Sequence, residues 1–188
     1  RGALMAVDDN LVGNREEIRV ALEEEVIPWQ QERGHPFQLH TQVSIRVSDD
    51  DALLDAMRLA GFDKVFVGIE SPVEESLKFM GAQKNLQGKT SLMDKVHKLQ
   101  KSGFEVQAGF IMGLDTDPDD IADRMIAFIQ EAGIPVAMLG MLGVLRDTPD
   151  YKRFKRLGRL VEDTNYTGDS GIFNRELSFK PLIDPDEL

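Results

Sequence analysis

The chain has 188 residues, enough for one domain with a sizeable core, and its 41% hydrophobic and 29% charged content is that of an ordinary globular protein. A formal net charge of -11 argues against a phosphate-backbone partner, which needs a basic face to displace counterions. Cysteine is absent, which excludes disulfides, Cys-ligated zinc, a thiol nucleophile and a self-contained iron–sulfur cluster.

A short apolar run predicts a strand over 3–7, closing in Asp8-Asp9-Asn10. A helix is expected from about 14 to 33, kinked or broken at Pro28 and stopped by Gly34. The second strand is expected over 37–47, with Ser48 capping a helix that runs to Ala60 and stops at Gly61. The third strand, 64–69, leads into Glu70-Ser71-Pro72 and a short helix to about Met80. A polar connection over 81–89 precedes a helix over 90–101. The fourth strand covers 105–112, and Asp117-Pro118 opens a helix to Ala132. The fifth strand is expected over 135–144, followed by Thr148-Pro149 and a helix to about Leu157. The segment 164–181 has no clear period and reads as an irregular tail.

Repeated strand–helix alternation argues for parallel strands joined by right-handed crossovers, an α/β fold. In the second strand Phe37, Leu39, Thr41 and Val43 alternate with Gln38, His40, Gln42 and Ser44, giving one apolar and one polar face. In the fourth, Gly109, Ile111 and Gly113 fall on the face opposite Val106, Ala108 and Phe110. A filled barrel carries bulky aliphatic residues at such inner positions. Polar and very small ones predict an open, partial (β/α) TIM-like barrel with a polar ligand inside. Sites in such folds gather at the carboxyl ends of the strands.

The strand ends Val-Asp-Asp-Asn (7–10), Gly-Ile-Glu-Ser (68–71), Gly-Phe-Ile-Met-Gly (109–113) and Val-Leu-Arg-Asp-Thr-Pro-Asp-Tyr (144–151) resemble those of the radical S-adenosylmethionine (radical SAM) superfamily. The likeness is to its cobalamin-binding branch. It runs over nearly the whole chain and includes the tail at 177–188. It implies S-adenosylmethionine and a 4Fe-4S cluster in the intact protein, together with cobalamin. In such families three cysteines spaced CxxxCxxC hold the cluster, and reductive cleavage of S-adenosylmethionine yields a 5′-deoxyadenosyl radical. The strand that would carry those cysteines is absent here, so the resemblance covers the second to sixth strands of the family barrel. Residues 1–162 are then a partial barrel and 163–188 a truncated extension. Both ends read as cut, with a missing N-terminal part.

By position, Asp8, Asp9 and Asn10 resemble the strand end that receives the methionine amino group. Gln42 and Ser44, with Glu70 and Ser71, resemble positions near the methionine carboxylate and ribose. Gly109, Ile111 and Gly113 match the Gly-x-Ile-x-Gly pattern bordering the adenine. Two departures stand out. Thr116 occupies the slot where a Glu commonly follows that pattern, and Arg146-Asp147 replaces the Pro-Gly of a usual Pro-Gly-Thr-Pro.

The intact protein is expected to use radical chemistry for methyl transfer or a related modification of a small-molecule substrate. This chain would supply part of the cofactor pocket and substrate surface without being catalytically complete. A non-catalytic ligand- or protein-binding module on the same barrel is the alternative. A hydrolase or isomerase using Asp8, Glu70 and His40 is a weaker third. A cytoplasmic location, no membrane contact and a dimer through the open barrel edge complete the expectations. His40 reads as a hydrogen-bonded inner residue, Trp29 with Phe37 as core, and the acidic run 115–120 as helix capping. Lys84, Lys89, Lys95, Lys98 and Lys101 read as a solvated basic face.

Overall fold

Helix boundaries follow local chemistry that the sequence carries in plain view. Asp50 accepts a hydrogen bond from Leu53 N at 3.1 Å and so starts helix α3 (Asp51–Ala60), which Gly61 ends at φ 98°. Gly61 is also a close approach: a Cβ there would lie 2.7 Å from Gln30 Nε2. That amide is buried and donates to Ala60 O and Phe37 O. Ser91 caps α6 (Leu92–Lys101) and Thr148 caps α8 (Pro149–Arg156), with Pro149 in the first turn.

The computed structural model describes residues 2–8, 10–88, 90–161 and 178–182. Among them, β1 (Gly2–Ala6), β2 (Phe37–Val43), β3 (Phe62–Glu70), β4 (Glu105–Met112) and β5 (Val136–Met141) form one parallel sheet in sequential order. It curls into a half-barrel with the helices outside. Between β1 and β2, α1 (Arg15–Ala21) runs through a π-helical turn (Leu22–Val26) into α2 (Ile27–Glu32). The break foreseen at Pro28 takes this form. Proline has no N–H for the helical bond to residue 24, and the wider turn absorbs the loss. The remaining helices are α4 (Glu74–Phe79), α5 (Gln83–Leu86) and α7 (Ile121–Glu131).

The core lies between sheet and helices. Val43, Val65, Val67, Val106, Ala108 and Phe110 face outward onto α3, α6 and α7, where Leu53, Met57, Leu99, Ile121 and Met125 meet them, all buried. A smaller cluster joins Val144, Phe154 and Phe179, the last two rings with centroids 4.5 Å apart. Ser178 Oγ accepts from Val144 N at 2.8 Å and Leu160 bridges Phe179, so the segment 178–182 packs back on the barrel. No described helix is long and apolar enough to cross a membrane.

Several expectations need correction. β2 stops at Val43, because Ser44 caps a 3-10 helix (Ile45–Asp49). Ile45 and Val47 are buried by that helix, which mimics a continued strand alternation. Ser48 is buried with its hydroxyl unpartnered among the described residues, and Asp50 is the cap. β5 ends at Met141, and the polar connection 81–89 contains the short helix α5. Trp29 stacks on Phe37 at 5.9 Å yet stays 40% exposed, beside an apolar groove lined by Leu4, Val26 and Leu39. Lys95 is buried, with its ammonium on Gln87 O at 2.5 Å, so it is no part of a solvated face.

Candidate functional site

The inner face of the half-barrel is laid out by strand register. Met5, His40, Lys64 and Glu105 form one cross-strand row, and Gln42, Phe66, Gln107 and Val136 the next. Nearer the carboxyl ends, Gly68 lies beside Gly109, which in turn pairs with Met138. Charge is settled locally at the lower end: Lys64 Nζ is 3.5 Å from Glu105 Oε1, which also accepts from Gln107 Nε2 at 2.9 Å.

Glu70 commands the upper rim. Its φ of 67° bends the chain after a register shift between Gly68 and Glu70, and its carboxylate folds back over Gly68. A Cβ on Gly68 would collide with that carboxylate, so the glycine makes room for the protein's own acid. Burial pushes the Glu70 carboxyl above its ordinary value, with Lys84, whose ammonium is 4.0 Å away, acting in the opposite direction. Gly109 plays a matching part: a Cβ there would sit 3.0 Å from the Phe66 ring. The two glycines thus form a thin floor that the Glu70 carboxylate and the Phe66 ring cover.

The other expected site residues divide into lining and bracing groups. Gln42 and Ile111 are half-buried on the inner face. Asp8 is exposed and accepts from Asn10 N at 2.8 Å. Asn10 Oδ1 accepts from Ser44 N at 2.9 Å, and Leu11 N donates to Gln42 O, so the ends of β1 and β2 are tied together. Ser44 Oγ accepts from Arg46 N and Ser71 Oγ from Val73 N, so both hydroxyls serve local turns. Asp9 lies outside the described residues. Gly113, at φ 87°, gives its N–H to Asp117. His40 is half-buried on the inner face, between Met5 and Lys64.

The acidic run after β4 braces the rim instead of capping α7 as expected, since Asp120 at its N-cap makes no side-chain cap bond. Asp117 Oδ2 accepts from Gly113 N and Leu114 N, both at 3.0 Å, while Ser76 Oγ donates to its Oδ1 at 2.5 Å. Asp115 faces Arg159 at 2.7 Å and Arg153 at 3.0 Å, which pins α8 to the rim. Thr116 is exposed. In the last loop Asp147 takes φ 66°, the left-handed conformation that Gly would favour and that Asp tolerates better than most residues. Asp147 thus places a left-handed residue directly ahead of the Thr148 cap.

Sequence reasoning missed Lys84, Asn85 and Asp117. Asn85, buried on α5, donates from Nδ2 to Gly68 O at 3.2 Å and Ile69 O at 2.8 Å. Nothing but a polar, glycine-flanked stretch marks it in the sequence. A Gly-x-x-x-Asp spacing from Gly113 to Asp117 was the available signal for the other.

No family model matches the sequence. Over 184 residues the chain is 35% identical to an uncharacterized methyltransferase of Synechocystis sp., covering 98% of this chain and 34% of that protein. It is 34% identical over 165 residues to the hopanoid C-2 methylase of Rhodopseudomonas palustris, covering 88% of this chain and 31% of that protein. The chain thus spans about a third of the length of the curated relatives it matches. The radical S-adenosylmethionine methyltransferase TsrM from Kitasatospora setae, solved with cobalamin and a 4Fe-4S cluster, superposes with a TM-score of 0.68 at 16% identity. That match covers 98% of this chain and 36% of TsrM. TsrM with tryptophan substrate and a SAM analogue gives 0.55 at 15% identity, over 76% of this chain and 27% of that one. The half-barrel therefore shares the fold of the corresponding part of that methyltransferase. The likeness in sequence is to a methyltransferase and a methylase, and the likeness in fold is to a methyltransferase solved with cobalamin bound.

Proposed function

We propose that this chain is the carboxyl-terminal portion of the barrel of a radical SAM methyltransferase, with residues 1–162 as barrel and 163–188 as the extension that follows. The observation that carries the reading is the rim built by Glu70, the paired glycines 68 and 109, and Lys84, at the carboxyl end of a parallel half-barrel. S-adenosylmethionine suits these residues. Its hydroxyl and ammonium donors need an acceptor, which Glu70 offers; its carboxylate needs a cation, which Lys84 offers; its flat adenine needs the low floor at Gly109, with Ile111 alongside.

The iron–sulfur cluster does not suit this chain by itself, since there is no cysteine to hold it. Its ligands belong to a preceding part of the same protein. The β1 edge is the natural seam to that part, with Leu4 46% and Met5 53% exposed on opposite faces. Once bound, the cofactor supplies a transferable methyl group and radical-generating chemistry. This chain's own contribution is binding and orientation. Glu70 receives donor groups, Gln42 lines the inner wall, and Asp117 fixes the loop that ends β4. A donor arriving at Glu70 favours the ionised carboxylate that burial disfavours in the free protein.

The test is equilibrium dialysis of S-adenosylmethionine against the intact protein and its Glu70→Ala and Gln42→Ala variants. Each substitution is expected to weaken binding, by about tenfold for Glu70→Ala, the scale of one charge-assisted hydrogen bond. Unchanged affinity in both variants would remove these residues from the pocket.

A further inference from the structure

Glu70 is held in a conformation that L-residues rarely adopt. Its φ is 67°, and Ser71 N donates to Ile69 O at 2.9 Å, which closes a three-residue γ-turn centred on Glu70. A positive φ at the centre of such a turn is strained and persists only where the surroundings over-determine it. Within β3 the ladder cannot do so, because the register breaks between Gly68 and Glu70.

The surroundings that do are on α5. Asn85 Nδ2 gives both its protons to the two carbonyls that lead into the turn, Gly68 O and Ile69 O. Asn85 is 4% exposed, and its Oδ1 has no partner among the described residues. The reverse amide orientation would set that oxygen against two carbonyl oxygens, so the two donor bonds decide the orientation at the expense of a buried acceptor. The short helix is in turn anchored from α6 by Lys95, whose buried ammonium donates to Gln87 O. On the other side of Asn85, Lys84 reaches toward the Glu70 carboxylate at 4.0 Å.

We infer that Asn85 is a positioning residue: by clamping the carbonyls of Gly68 and Ile69 it fixes the γ-turn that folds the Glu70 carboxylate over Gly68 and into the cofactor pocket. The inference rests on the reading of Glu70 as a cofactor acceptor.

The experiment is a double-mutant cycle on S-adenosylmethionine affinity in the intact protein, using wild type, Glu70→Gln, Asn85→Asp and the double variant. Asn85→Asp keeps the shape and, when ionised, has no proton to give. It is expected to weaken binding about tenfold at alkaline pH, the scale of a lost hydrogen bond to a charged ligand group. Affinity should return toward wild type as the pH falls and the introduced carboxyl regains a proton to donate. Urea midpoints of the same variant over the same pH range separate the roles, since a role in mere stability would move the midpoint and leave the affinity of the folded protein unchanged. The wild-type profile supplies the baseline, since Glu70, Lys84 and Lys95, Glu74, Glu75 and Lys78 on α4, and Arg46 and Asp49 on the 3-10 helix are the charged groups of the elements around α5. The two single effects should be strongly non-additive, since both act through one carboxylate. Lys95→Met, which releases α5 from farther away without altering the turn itself, should weaken binding in the same direction by a smaller factor; it replaces Asn85→Asp if that variant does not fold. Weakened binding in Glu70→Gln beside wild-type affinity in the Asn85 and Lys95 variants, or fully additive effects, would overturn the positioning role. Wild-type affinity in Glu70→Gln would overturn the pocket reading on which it stands.

Discussion

Removing the Asp117 carboxylate should loosen the rim at the end of β4 more than its place in an exposed-looking acidic run implies. The group is 8% exposed and accepts three hydrogen bonds, two of them from the backbone N–H groups of Gly113 and Leu114. Hydrogen bonds to a charged group contribute about 1.5–3 kcal/mol each, and an unsatisfied buried amide costs about 1–3 kcal/mol. These are not additive, so Asp117→Ala is expected to cost about 3–5 kcal/mol. For a chain of this size that corresponds to a fall in Tm of about 10 °C. Asp117→Asn should cost about 1–2 kcal/mol, because its amide oxygen can still face the two backbone donors while its nitrogen donates to Ser76 Oγ. Urea unfolding followed by circular dichroism gives the totals, and amide exchange over 109–118 locates the effect. Equal losses in the two variants, or a loss under about 0.5 kcal/mol for Asp117→Ala, would refute the reasoning.

Three further outcomes follow from the same geometry. Gly68→Ala should displace the Glu70 carboxylate and weaken S-adenosylmethionine binding about as much as Glu70→Ala, which dialysis checks; an unaffected variant would mean the carboxylate is free to leave. Asp115→Ala strands two partly buried guanidiniums, Arg153 and Arg159, and should cost about 3–5 kcal/mol. Limited proteolysis should then cut faster near Phe179, the ring Arg159 stacks on. The third concerns pH. Burial raises the Glu70 carboxyl, so the unfolded chain releases this proton at lower pH than the folded one. Stability from this group therefore falls as pH rises from the ordinary carboxylate range through the raised folded value. Glu70→Gln should stabilise the ligand-free protein above that window and leave it unchanged below, as read by urea midpoints at acid and neutral pH.

The fold was legible because periodicity and caps agreed with each other. The bounds of β4 followed from a clean alternation ending at Met112, and Thr148-Pro149 announced α8. The stretch 44–49 misled, because a 3-10 helix that buries Ile45 and Val47 mimics a strand's alternation over so short a span. At the site, Glu70 and the glycines stood out because a strand end and small inner residues are local features. Asn85 and Asp117 did not. Their importance lies in backbone groups 16 and 4 positions away in sequence, and a partner's carbonyl or amide leaves no mark on composition. Lys95 was misjudged for a related reason, since a lysine buried against a loop carbonyl cannot be told by spacing from one in water.

The most direct test of the central claim is hydrogen–deuterium exchange of the intact protein with and without S-adenosylmethionine. The account predicts slowed exchange at 68–71 and 109–114, the two strand ends that meet at the paired glycines. Protection confined to segments outside this chain, with those two stretches unchanged, would contradict it.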